Sequence, residues 1–538
     1  MEYKTDVLVV GSGLAGCCAA LAARERGADV MVASIGSGAS PNVSGFRSWQ
    51  DAAEDSLKQM AGDICAFGGE LNCRELVENA LRKSCGIYEK FSALGMDILR
   101  DKTGQMIPKT ASVGGKKRVV GYRTACEFGL AAAAALKNAM PVVGVKQLFE
   151  TEILLPVLQN GCLIGAAGIQ GSEWVIIRAK AVILACGGIG SLFSSSTYPG
   201  DVAAGYAAFA LLAGASLKDM EFLQYEPAVL CGVPSVGRMP LPTSLWEKGA
   251  VLLNGKGERF LQKYWHTSEK ELRNDGKLDK DHIARMIAAE VAAGRGTRNG
   301  GVWYDARNVA PEELYRFTIK NRRLSKAGLD LSKDPVEVFP APHSHMGGVE
   351  VDPHCASCIP GLFAAGESAA GFLGANRMPG YGGASAVLLG TLAGEQAAAF
   401  VYGLQETTEP LWREAVYRAQ RQAQRICRQV VPGAAKSVSE ILTRYYGLEK
   451  NAQDLQKGLE MVENLWDAGA SEVCERSASA RLRDFGAVCT AEGMFRAALM
   501  RTESRGCFFR SDYPDRRDDV WTRSLRARLD ERGSVIVE

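Results

Sequence analysis

DVLVVGSGLAGCCAALAARERGADVMVA, residues 6–33, gives the clearest indication of the fold in this sequence. An apolar β-forming run leads into a glycine turn, an alanine-rich helical pattern follows, and a second apolar run closes the unit. Gly11 permits a tight turn, Gly13 lets a pyrophosphate approach the backbone, and Gly16 lets the helix pack closely on the strand. The helix N-terminus adds free N–H groups and the positive end of its dipole. The stretch therefore predicts a Rossmann-like dinucleotide-binding unit.

The composition is ordinary for a soluble protein and gives no sign of a strongly charged partner. The chain has 538 residues, of which 47% are hydrophobic, and a formal net charge of +2. A chain of this length makes roughly two to four domains. No basic or acidic excess points to nucleic acid or to an anionic membrane, and no apolar run reaches the ~18 residues of a spanning helix. We therefore expect a cytoplasmic protein with no nucleic-acid partner and no transmembrane segment.

The fifteen cysteines are scattered along the chain, which predicts reduced, buried thiols rather than a disulfide scaffold. Cys355 and Cys358 have the C-x-x-C spacing of a redox pair or of half a metal site. No second C-x-x-C or C-x-x-H accompanies them, so a metal site with four ligands is not supported and we expect no metal. Thiol–disulfide chemistry at this pair remains an alternative.

The rest of the chain alternates between apolar, glycine-rich segments and more charged ones. Residues 142–178 contain four short apolar runs typical of a β-meander, and residues 179–190 form an apolar run that ends in a glycine turn. Residues 227–342 are richer in charge and in turn residues, whereas the glycine-rich style returns in residues 346–398. We predict an α/β fold with a discontinuous Rossmann-like domain, an inserted α+β capping domain and a C-terminal helical domain. The predicted limits are 1–226 and 343–404 for the two parts of the first domain, 227–342 for the cap, and 405–538 for the helical domain.

Eight segments follow one another along nearly the whole chain in the order expected of one flavoprotein family. They are GSGLAG, ILACGGIG, DMEFLQYEP, LLNGKGERF, HSHMGGVEVD, IPGLFAAGE, GANRMPGYGGAS and RTESRGCFFRSDYP. Together they resemble the flavoprotein subunit of succinate dehydrogenase and fumarate reductase, a family that includes L-aspartate oxidase. The resemblance implies FAD as the cofactor, held by the segments around Gly11, Gly187 and Glu367.

The resemblance also implies individual FAD contacts. Glu367 would accept a hydrogen bond from a ribityl or ribose hydroxyl, and the helix that starts near Ser385 would aim its N-terminus at the pyrimidine end of the flavin. The cofactor-binding residues implied are Gly11, Gly13, Leu14, Ala15, Gly16, Ser34, Ser44, Gly45, Ala185, Cys186, Gly187, Gly188, Asp201, Gly366, Glu367, Arg377, Ser385, Ala386 and Leu388.

The loop after the second strand decides how FAD would be attached. In some relatives a histidine in this loop binds FAD covalently. Here the loop is GASPNVSG, residues 38–45, and contains no histidine. We therefore expect FAD to be bound noncovalently.

Two family positions that bind a substrate carboxylate are retained. His343 stands in an H-x-x-M-G-G-like context and Arg377 stands in GANR. The planar guanidinium of Arg377 can grip a carboxylate through two hydrogen bonds and keeps its charge. His345 would point to the same side of a strand as His343 and is a second candidate. The resemblance therefore implies an anion-binding end of the substrate pocket.

Other family positions are changed. Glu226 replaces a histidine that helps to bind substrate, and Ala228 replaces a threonine. A carboxylate at position 226 would repel a substrate carboxylate. We therefore do not expect fumarate, succinate or aspartate as the natural substrate.

Two lysines are candidates for proton transfer. Lys248 stands where the family carries a glutamate of its proton relay, and Lys280 falls in register with the family's proton-donating arginine. Arg285 and Arg295 are nearby alternatives to Lys280. Glu226 could pair with either lysine, and a buried lysine with a lowered pKa can donate a proton near neutrality. In the C-terminal signature, Arg501, Arg505 and Arg510 are expected to form salt bridges rather than to bind a ligand.

These observations predict an FAD-dependent oxidoreductase acting on CH–CH bonds, in which hydride moves between flavin N5 and an activated C=C or CH–CH substrate with an anionic or carbonyl group. The sequence has one dinucleotide fingerprint, no C-x-x-C-H haem motif and no iron–sulfur cysteine pattern. Electrons are therefore expected from an iron–sulfur subunit, a ferredoxin-type protein or free reduced flavin. The alternative is a flavin electron-transfer subunit in a complex with an iron–sulfur protein, although such a subunit would not need His343 and Arg377.

Overall fold

The computed structural model describes most of the chain. The described residues are 1–43, 45–50, 55–113, 116–202, 204–264, 273–274, 277–278, 280–426, 429–466, 478–531 and 533–538. Ser44, one of the predicted FAD contacts, lies outside them.

The described part contains strands in three larger sheets and two hairpins. In chain order they are β1 (Glu2–Val10), β2 (Val30–Ser34), β3 (Pro108–Val113), β4 (Lys116–Tyr122), β5 (Lys146–Phe149), β6 (Thr151–Gln159), β7 (Cys162–Gln170), β8 (Glu173–Leu184), β9 (Leu217–Lys218), β10 (Leu223–Leu230), β11 (Val251–Leu253), β12 (Arg273–Asn274), β13 (Lys277–Leu278), β14 (Val302–Asp305), β15 (Val336–His345), β16 (Gly348–Val349), β17 (Leu362–Ala364), β18 (Arg526–Leu529) and β19 (Val535–Val537).

The helices cluster around the main sheet and in the C-terminal part. In chain order they are α1 (Leu14–Glu25), α2 (Leu57–Phe67), α3 (Arg74–Arg82), α4 (Ile87–Ala93), α5 (Phe128–Val142), α6 (Gly205–Ala213), α7 (Lys280–Glu290), α8 (Pro311–Tyr315), α9 (Thr318–Lys326), α10 (Tyr381–Val401), α11 (Glu409–Ile426), α12 (Ala434–Tyr445), α13 (Ala452–Glu463), α14 (Ala478–Met500) and α15 (Asp518–Trp521).

The main sheet has the strand order β5-β2-β1-β8-β7-β6, and β17 also pairs with β8. Strands β5, β2, β1, β8 and β17 run parallel to one another, whereas β6, β7 and β8 form an antiparallel meander. The carboxyl ends of β1, β2 and β17 meet at one edge of the sheet, which is where parallel sheets bind ligands. The first of the four apolar runs predicted as strands within residues 142–178 covers residues 142–145, and for this run the prediction was wrong. It is the end of α5 and the turn that follows, while β5 begins at Lys146.

Small residues allow helices α1 and α10 to pack closely against each other. A Cβ added to Gly390 or Gly394 of α10 would collide with the backbone of Ala15 or Ala19 of α1. The same helix α10 is long and apolar enough to cross a membrane, but 67% of its most apolar window is buried in the fold. Its apolar character is thus explained by packing against α1.

The cap has an antiparallel sheet in the order β10-β15-β14-β11. Its apolar core is a separate cluster whose buried members lie between Ala228 and Val338. The strands β10 and β15, which begin and end the insertion, pair from Leu223–His345 to Leu230–Val338. The predicted limits of the cap, 227 and 342, fall inside these two strands.

The C-terminal part consists of α11 to α15 and the hairpin β18–β19. The buried residues of α12, α13 and α14 belong to the same apolar cluster as the main sheet. Strand β18 pairs with β9, and a short turn connects β9 to β10 of the cap sheet. This packing fixes the last segment of the chain beneath the strand that carries Glu226.

Candidate active site

A cavity of about 850 Å³ lies where the carboxyl edge of the main sheet faces the cap. Its volume falls within the roughly 300–1,000 Å³ typical of small-molecule sites. The predicted FAD residues that line it are Gly11, Gly13, Leu14, Ala15, Ser34, Gly45, Ala185, Cys186, Gly187, Asp201, Glu367, Arg377 and Ala386. The predicted catalytic residues Glu226, Lys248, Lys280, His343 and Arg377 line the same cavity.

The glycine turn provides the bare backbone that a dinucleotide needs. Gly11 has φ +109°, and a Cβ there would collide with the carbonyl of Ala185. A Cβ on Gly13 would come within 2.8 Å of Ser40 Oγ, which accepts a hydrogen bond from Leu14 N at 2.8 Å. Because side chains are excluded on this wall and the start of α1 faces it, the residues present fit a bound pyrophosphate.

The remaining predicted FAD residues sit behind this wall. Gly16, Gly188, Gly366, Ser385 and Leu388 are not among the residues that line the cavity. A Cβ on Gly16 would collide with the carbonyl of Gly11, and one on Gly366 would come within 2.8 Å of Ala15 Cβ. Ser385 Oγ donates to Gly382 O at 3.0 Å, inside α10. These five residues support the wall rather than face the cavity.

Glu367 lies at the centre of a hydrogen-bond group that the sequence did not indicate. Its Oε1 accepts hydrogen bonds from the hydroxyl of Tyr198 and from His345 N, the latter at 2.7 Å. Burial raises the pKa of Glu367, against the opposing effect of these hydrogen bonds. Tyr198 also lines the cavity, so it joins Glu367 as a candidate contact of the ligand.

Asp201 has one engaged and one open carboxylate oxygen. Its Oδ2 accepts from Gly38 N at 2.9 Å, which holds the loop after β2 against the cavity. Its Oδ1 is buried without a hydrogen-bond partner among the described residues. A buried unsatisfied acceptor is unfavourable, so a ligand hydroxyl or amide would be bound well there.

A buried ionic cluster forms the cap side of the cavity. Lys280 Nζ donates to Glu226 Oε2 at 2.8 Å and to Oε1 at 3.1 Å. His343 Nε2 lies 3.5 Å from Glu226 Oε2, and His343 Nδ1 lies 2.8 Å from Thr197 Oγ1. The side chain of Glu226 is 4% exposed and that of Lys280 is 19% exposed. The acid–cation pair anticipated from the sequence is thus formed with Lys280.

The cluster sets the charge of its members. Burial lowers the pKa of His343 to about 3, although Glu226 opposes this effect, so the imidazole is neutral at physiological pH. Burial acts to raise the pKa of Glu226, but the neighbouring cations, Lys280 first and then Arg377, outweigh it and the pKa is lowered. Glu226 is therefore an anion whose charge is balanced by Lys280.

Arg377 is buried, at 9% exposure, and its head group faces the cavity. Its Nε has no hydrogen-bond partner among the described residues. The preceding residue, Asn376, accepts from Gln224 Nε2 at 2.7 Å and donates to Asp281 Oδ2 at 2.9 Å. Since Gln224 precedes Glu226 on β10 and Asp281 follows Lys280 on α7, this amide fixes Arg377 relative to the Lys280–Glu226 pair.

The other candidates from the sequence take different places. Lys248 lines the cavity but is 51% exposed and lies 3.4 Å from Glu313. Arg295 is bound to Glu290 at 2.8 Å, and Arg285 lies over the ring of Phe509 at 4.2 Å. His345 is buried, with Nε2 lying 3.1 Å from Met220 O. Only Lys280 among the proton-donor candidates contacts Glu226 in the described part.

The cavity also contains cations that the sequence analysis missed. Lys109, Lys320, Arg47 and Arg316 line it. Burial, Arg47 and Arg316 together lower the pKa of Lys109 to about 8. Lys109 lies on the hairpin β3–β4 and Lys320 on helix α9, and neither segment has a local motif. Only the tertiary fold therefore reveals these residues.

The C-x-x-C pair does not lie at the cavity. Cys355 is fully buried, burial raises the pKa of its thiol, and Cys358 is exposed. Both are free thiols, and neither lines the cavity. Within the described residues no group of three or more His, Cys, Asp or Glu side chains is arranged to hold a metal ion.

Known families match two parts of the chain. A family described as FAD binding domain matches residues 6–382, and one described as fumarate reductase flavoprotein C-term matches residues 435–537. A fumarate reductase (CoM/CoB) subunit of Methanothermobacter marburgensis is 29% identical over 550 residues, covering 97% of each chain. The L-aspartate oxidase of Caulobacter vibrioides is 30% identical over 526 residues, covering 94% of this chain and 93% of the other.

Solved structures of flavoproteins also match this chain over its whole length. Mycobacterium smegmatis Sdh1 in complex with UQ1 superposes with a TM-score of 0.81 at 28% identity, covering 100% of this chain and 94% of that one. A point mutant of the E. coli quinol fumarate reductase FrdA superposes with a TM-score of 0.86 at 23% identity, covering 100% and 96%. The second match shows the shared fold alone.

Proposed function

The chain belongs to the flavoprotein family of fumarate reductase and succinate dehydrogenase, and from this premise we propose that its active site interconverts a C=C bond and a CH–CH bond of a small acid that is not a C4 dicarboxylate. The protein is an FAD-dependent oxidoreductase. The observation that carries the proposal is the Lys280–Glu226–His343 cluster, which shares one cavity with the open guanidinium of Arg377.

The side of the cavity formed by the glycine turn is proposed to bind FAD and to orient it. FAD, when bound, supplies hydride exchange at flavin N5. The turn Gly11 to Ala15 would hold the pyrophosphate, Asp201 and Glu367 would hold hydroxyl groups, and the start of α10 would face the pyrimidine end. Attachment is proposed to be noncovalent: acid precipitation should release the flavin into solution, and flavin retained on the polypeptide would contradict this.

Arg377 and His343 are proposed to hold the acid group of the substrate. Arg377 offers a buried cation whose Nε lacks a partner in the described part, so a carboxylate would compensate its burial. His343 is neutral and can donate or accept one hydrogen bond at the same end. This grip would orient the activated carbon atoms beside the flavin-facing wall and exclude water from them.

Lys280 is proposed as the group that supplies and recovers the second proton, at its Nζ. Glu226 keeps the ammonium group oriented through two hydrogen bonds. In the reductive direction, Nζ–H would protonate one carbon of the C=C bond as the other receives hydride. In the oxidative direction the neutral amine would remove that proton. Glu226 is a positioning residue in this scheme, because it contacts Lys280 rather than the reacting carbon.

The same cluster supports a substrate other than a C4 dicarboxylate. A second carboxylate held at the Glu226 position would have to share space with a buried anion whose charge Lys280 already balances. A carbonyl, a thioester or an extended chain would avoid that conflict.

The electron partner is proposed to be an iron–sulfur or ferredoxin-type protein in the cytoplasm. The most relevant support is that one relative is named as one subunit of a fumarate reductase, which points to partner subunits for that protein. The alternative, a flavin subunit that only relays electrons, is less well supported here because the retained, open Arg377 would then have no purpose.

Anaerobic photoreduction of the purified holoenzyme tests the proposal. Unsaturated acids, enoyl thioesters and enones are added to the reduced protein, and the return of oxidised-flavin absorbance is followed. A longer or thioester-activated acid is expected to reoxidise the flavin faster than fumarate does. Fumarate as the fastest oxidant would refute the exclusion of C4 dicarboxylates, and no reoxidation by any compound would favour the relay.

Variants of Lys280 test the proton step in the same assay. Lys280→Met is expected to slow reoxidation by about a hundredfold, because a positioned acid contributes ~10²–10⁴ in rate. Lys280→Arg keeps the ion pair with Glu226 and controls for the loss of that pair. Wild-type rates in Lys280→Met would remove Lys280 from the mechanism.

A further inference from the structure

A second cavity of about 400 Å³ adjoins the active-site cavity. It lies where the loops of the main domain at 41–42 and 196–199 meet the cap segment 236–240 and helix α9. It contains none of the glycine-turn residues and none of Glu226, Lys280, His343 and Arg377. The residues that line both cavities are Asn42, Glu127, Thr197, Tyr198, Pro240 and Lys320. The second cavity thus adjoins the active-site cavity along these shared residues.

Lys320 is the charged residue of that wall that lacks a partner. It lies on α9 and is 8% exposed, and burial lowers the pKa of its ammonium group although the charges of Glu127 and Glu226 oppose this effect. It makes no direct hydrogen bond or ion pair with either carboxylate in the described part of the chain. Its one ring contact places Nζ 5.8 Å from the centroid of Phe317, near the outer limit of a cation–π interaction. An ammonium group in a largely buried position without a direct hydrogen bond is unfavourable, so an anionic ligand in the adjoining cavity would stabilise it.

Other buried cations of the described part show what a structural role looks like. Six of them are held by hydrogen bonds or ion pairs, and these are Arg118, Lys450, Arg481, Arg501, Arg505 and Arg510. A seventh, Arg47, also interacts with a neighbouring group. By contrast, the side chains of Lys320 and Arg377 form neither a hydrogen bond nor an ion pair with the described residues. The two open cations face the same cavity, and only Lys320 also faces its neighbour.

The charges around Lys320 favour an anion in the second cavity. Arg238 and Arg323 line it with Lys320, and Glu127 is its acidic residue. Glu127 already accepts hydrogen bonds from Thr318 Oγ1 at 2.7 Å and from Ile319 N at 3.0 Å, so its charge caps the N-terminus of α9. Three cations against one engaged carboxylate leave the cavity positively charged.

We propose that Lys320 binds a second anionic oxygen group of the substrate, a carboxylate or a phosphate, carried on a chain that extends from the Arg377 end into the second cavity. The inference rests on the proposed function, because it assumes that the first acid group is held at Arg377. It narrows the substrate class to elongated diacids or phosphorylated acids. Such a chain bypasses Glu226, which agrees with the exclusion of a compact dicarboxylate.

Titration calorimetry of the FAD-loaded protein without an electron acceptor tests the inference. The probes are hexanoate, adipate and 5-phosphonopentanoate, which differ only in the far end, with succinate and suberate as shorter and longer diacids. The wild type is expected to bind at least one of the doubly charged probes about tenfold or more tighter than hexanoate, since a hydrogen bond to a charged group contributes that much. The phosphonate and carboxylate arms show which end group is preferred.

Substitution of Lys320 supplies the decisive comparison. Lys320→Met should abolish the preference for the doubly charged probe while leaving hexanoate affinity unchanged, and Lys320→Arg should preserve the preference. Lys326→Met, an exposed position on the same helix, should behave as the wild type. Flavin absorbance and the thermal midpoint confirm that each variant is folded.

The outcomes separate this inference from the proposed function. No preference for any doubly charged probe in the wild type, or an equal preference in Lys320→Met, overturns the role of Lys320. If hexanoate still binds in those cases and Arg377→Met abolishes its binding, the proposed anion grip stands. If Arg377→Met leaves the binding of every acid unchanged, the proposed function itself fails.

Discussion

Two buried clusters of charge include residues of the segment around strand β10, Glu221 just before it and Glu226 within it, and they differ in how their cations are paired. In the first cluster, Arg501 lies 2.7 Å from Glu221 and 3.0 Å from Glu503, while Arg505 lies 2.6 Å from Glu503, and all four side chains are 0% exposed. In the second cluster, at the cavity, Lys280 pairs with Glu226 but Arg377 Nε has no hydrogen-bond partner among the described residues, so this cluster is called open. In the closed cluster every charge has an ion-pair partner, although Glu221 Oε2 has no hydrogen-bond partner among the described residues, whereas the open cluster leaves the charge of Arg377 for a ligand to pair with.

This difference in charge pairing distinguishes residues that stabilise the fold from residues that bind substrate or take part in the reaction. A buried ion pair contributes little over an apolar replacement, but removing one partner leaves an uncompensated charge. Breaking the closed cluster should therefore reduce stability, and removing the open cation should reduce binding without reducing stability. Functional sites commonly carry such locally unfavourable groups.

The largest expected effect is on the closed cluster. Glu503→Gln removes the carboxylate that Arg501 and Arg505 share, and should destabilise the protein by about 3–5 kcal/mol. A drop in the unfolding midpoint in urea, measured on the holoenzyme, checks it. Asp519→Asn is the control, because Asp519 is an exposed partner of Arg517 at 3.7 Å and such pairs contribute ~0–1 kcal/mol. Equal midpoints for the two variants would contradict the assignment.

The second prediction concerns the open cation. Arg377→Met should lower kcat/KM for the acid found in the reoxidation screen by about a hundredfold, because a buried charged contact is worth ~2–5 kcal/mol. Its unfolding midpoint should stay equal to or rise above that of the wild type. Steady-state kinetics and urea unfolding on the same preparation provide both values. A destabilised Arg377→Met would place Arg377 with the structural cations, and flavin content controls for loss of FAD.

The third prediction uses the neutral imidazole of the open cluster. The unfolded chain takes up a proton on histidine near pH 6.5, whereas folded His343 does so only near its pKa of about 3. The stability that depends on neutral His343 is thus present above pH ~6.5 and is lost as the pH falls, by about 2 kcal/mol near pH 5. His343→Gln should lose less stability than the wild type between these pH values.

Thermal midpoints across this pH range test the third prediction. His354→Gln, at an exposed position, should follow the wild-type curve. Parallel curves for the wild type and His343→Gln would show that folding does not depress the pKa of this imidazole.

The smallest expected effect is at Lys248. Its side chain is 51% exposed and lies 3.4 Å from Glu313, outside the buried cluster. Lys248→Met should change turnover by no more than about twofold, since exposed pairs contribute little. Stopped-flow reoxidation compared with Lys280→Met gives the measurement. If Lys248→Met lost as much turnover as Lys280→Met, both lysines would have to take part in proton transfer.

Sequence reasoning succeeded where function depends on local backbone. The glycine turn Gly11 to Gly16 predicts its own strand, turn and helix, and the close approach of Gly16 to Gly11 O lies within this unit. The close neighbours of Gly11 and Gly13 are Ala185 and Ser40, which come from other segments. The family assignment, FAD as the cofactor and the α/β fold with an inserted cap were confirmed. The ionic pair of Glu226 was narrowed from two lysines to Lys280 only by the structure.

The sequence did not predict the cavity residues that come from remote segments of the chain. Lys320 on α9, Lys109 on β3 and Tyr198 in a loop carry no motif, yet all three line the cavity. Each lies at the cavity only because remote segments of the chain pack together there, and no periodicity in the sequence encodes that packing.

The dinucleotide-binding unit could be predicted from the amino-acid sequence because the steric demands of glycine and the alternation of strand and helix involve consecutive residues. The order of the eight family-like segments indicated the family and its cofactor. Which buried charges are paired within the protein, and which face the cavity, becomes evident only from the folded chain. Arg501 and Arg377 both stand in family-like motifs of this chain. Arg501 pairs with the carboxylates of Glu221 and Glu503, whereas Arg377 lines the cavity. Pairing of buried charges depends on distances of a few ångströms between remote segments, and packing alone sets those distances.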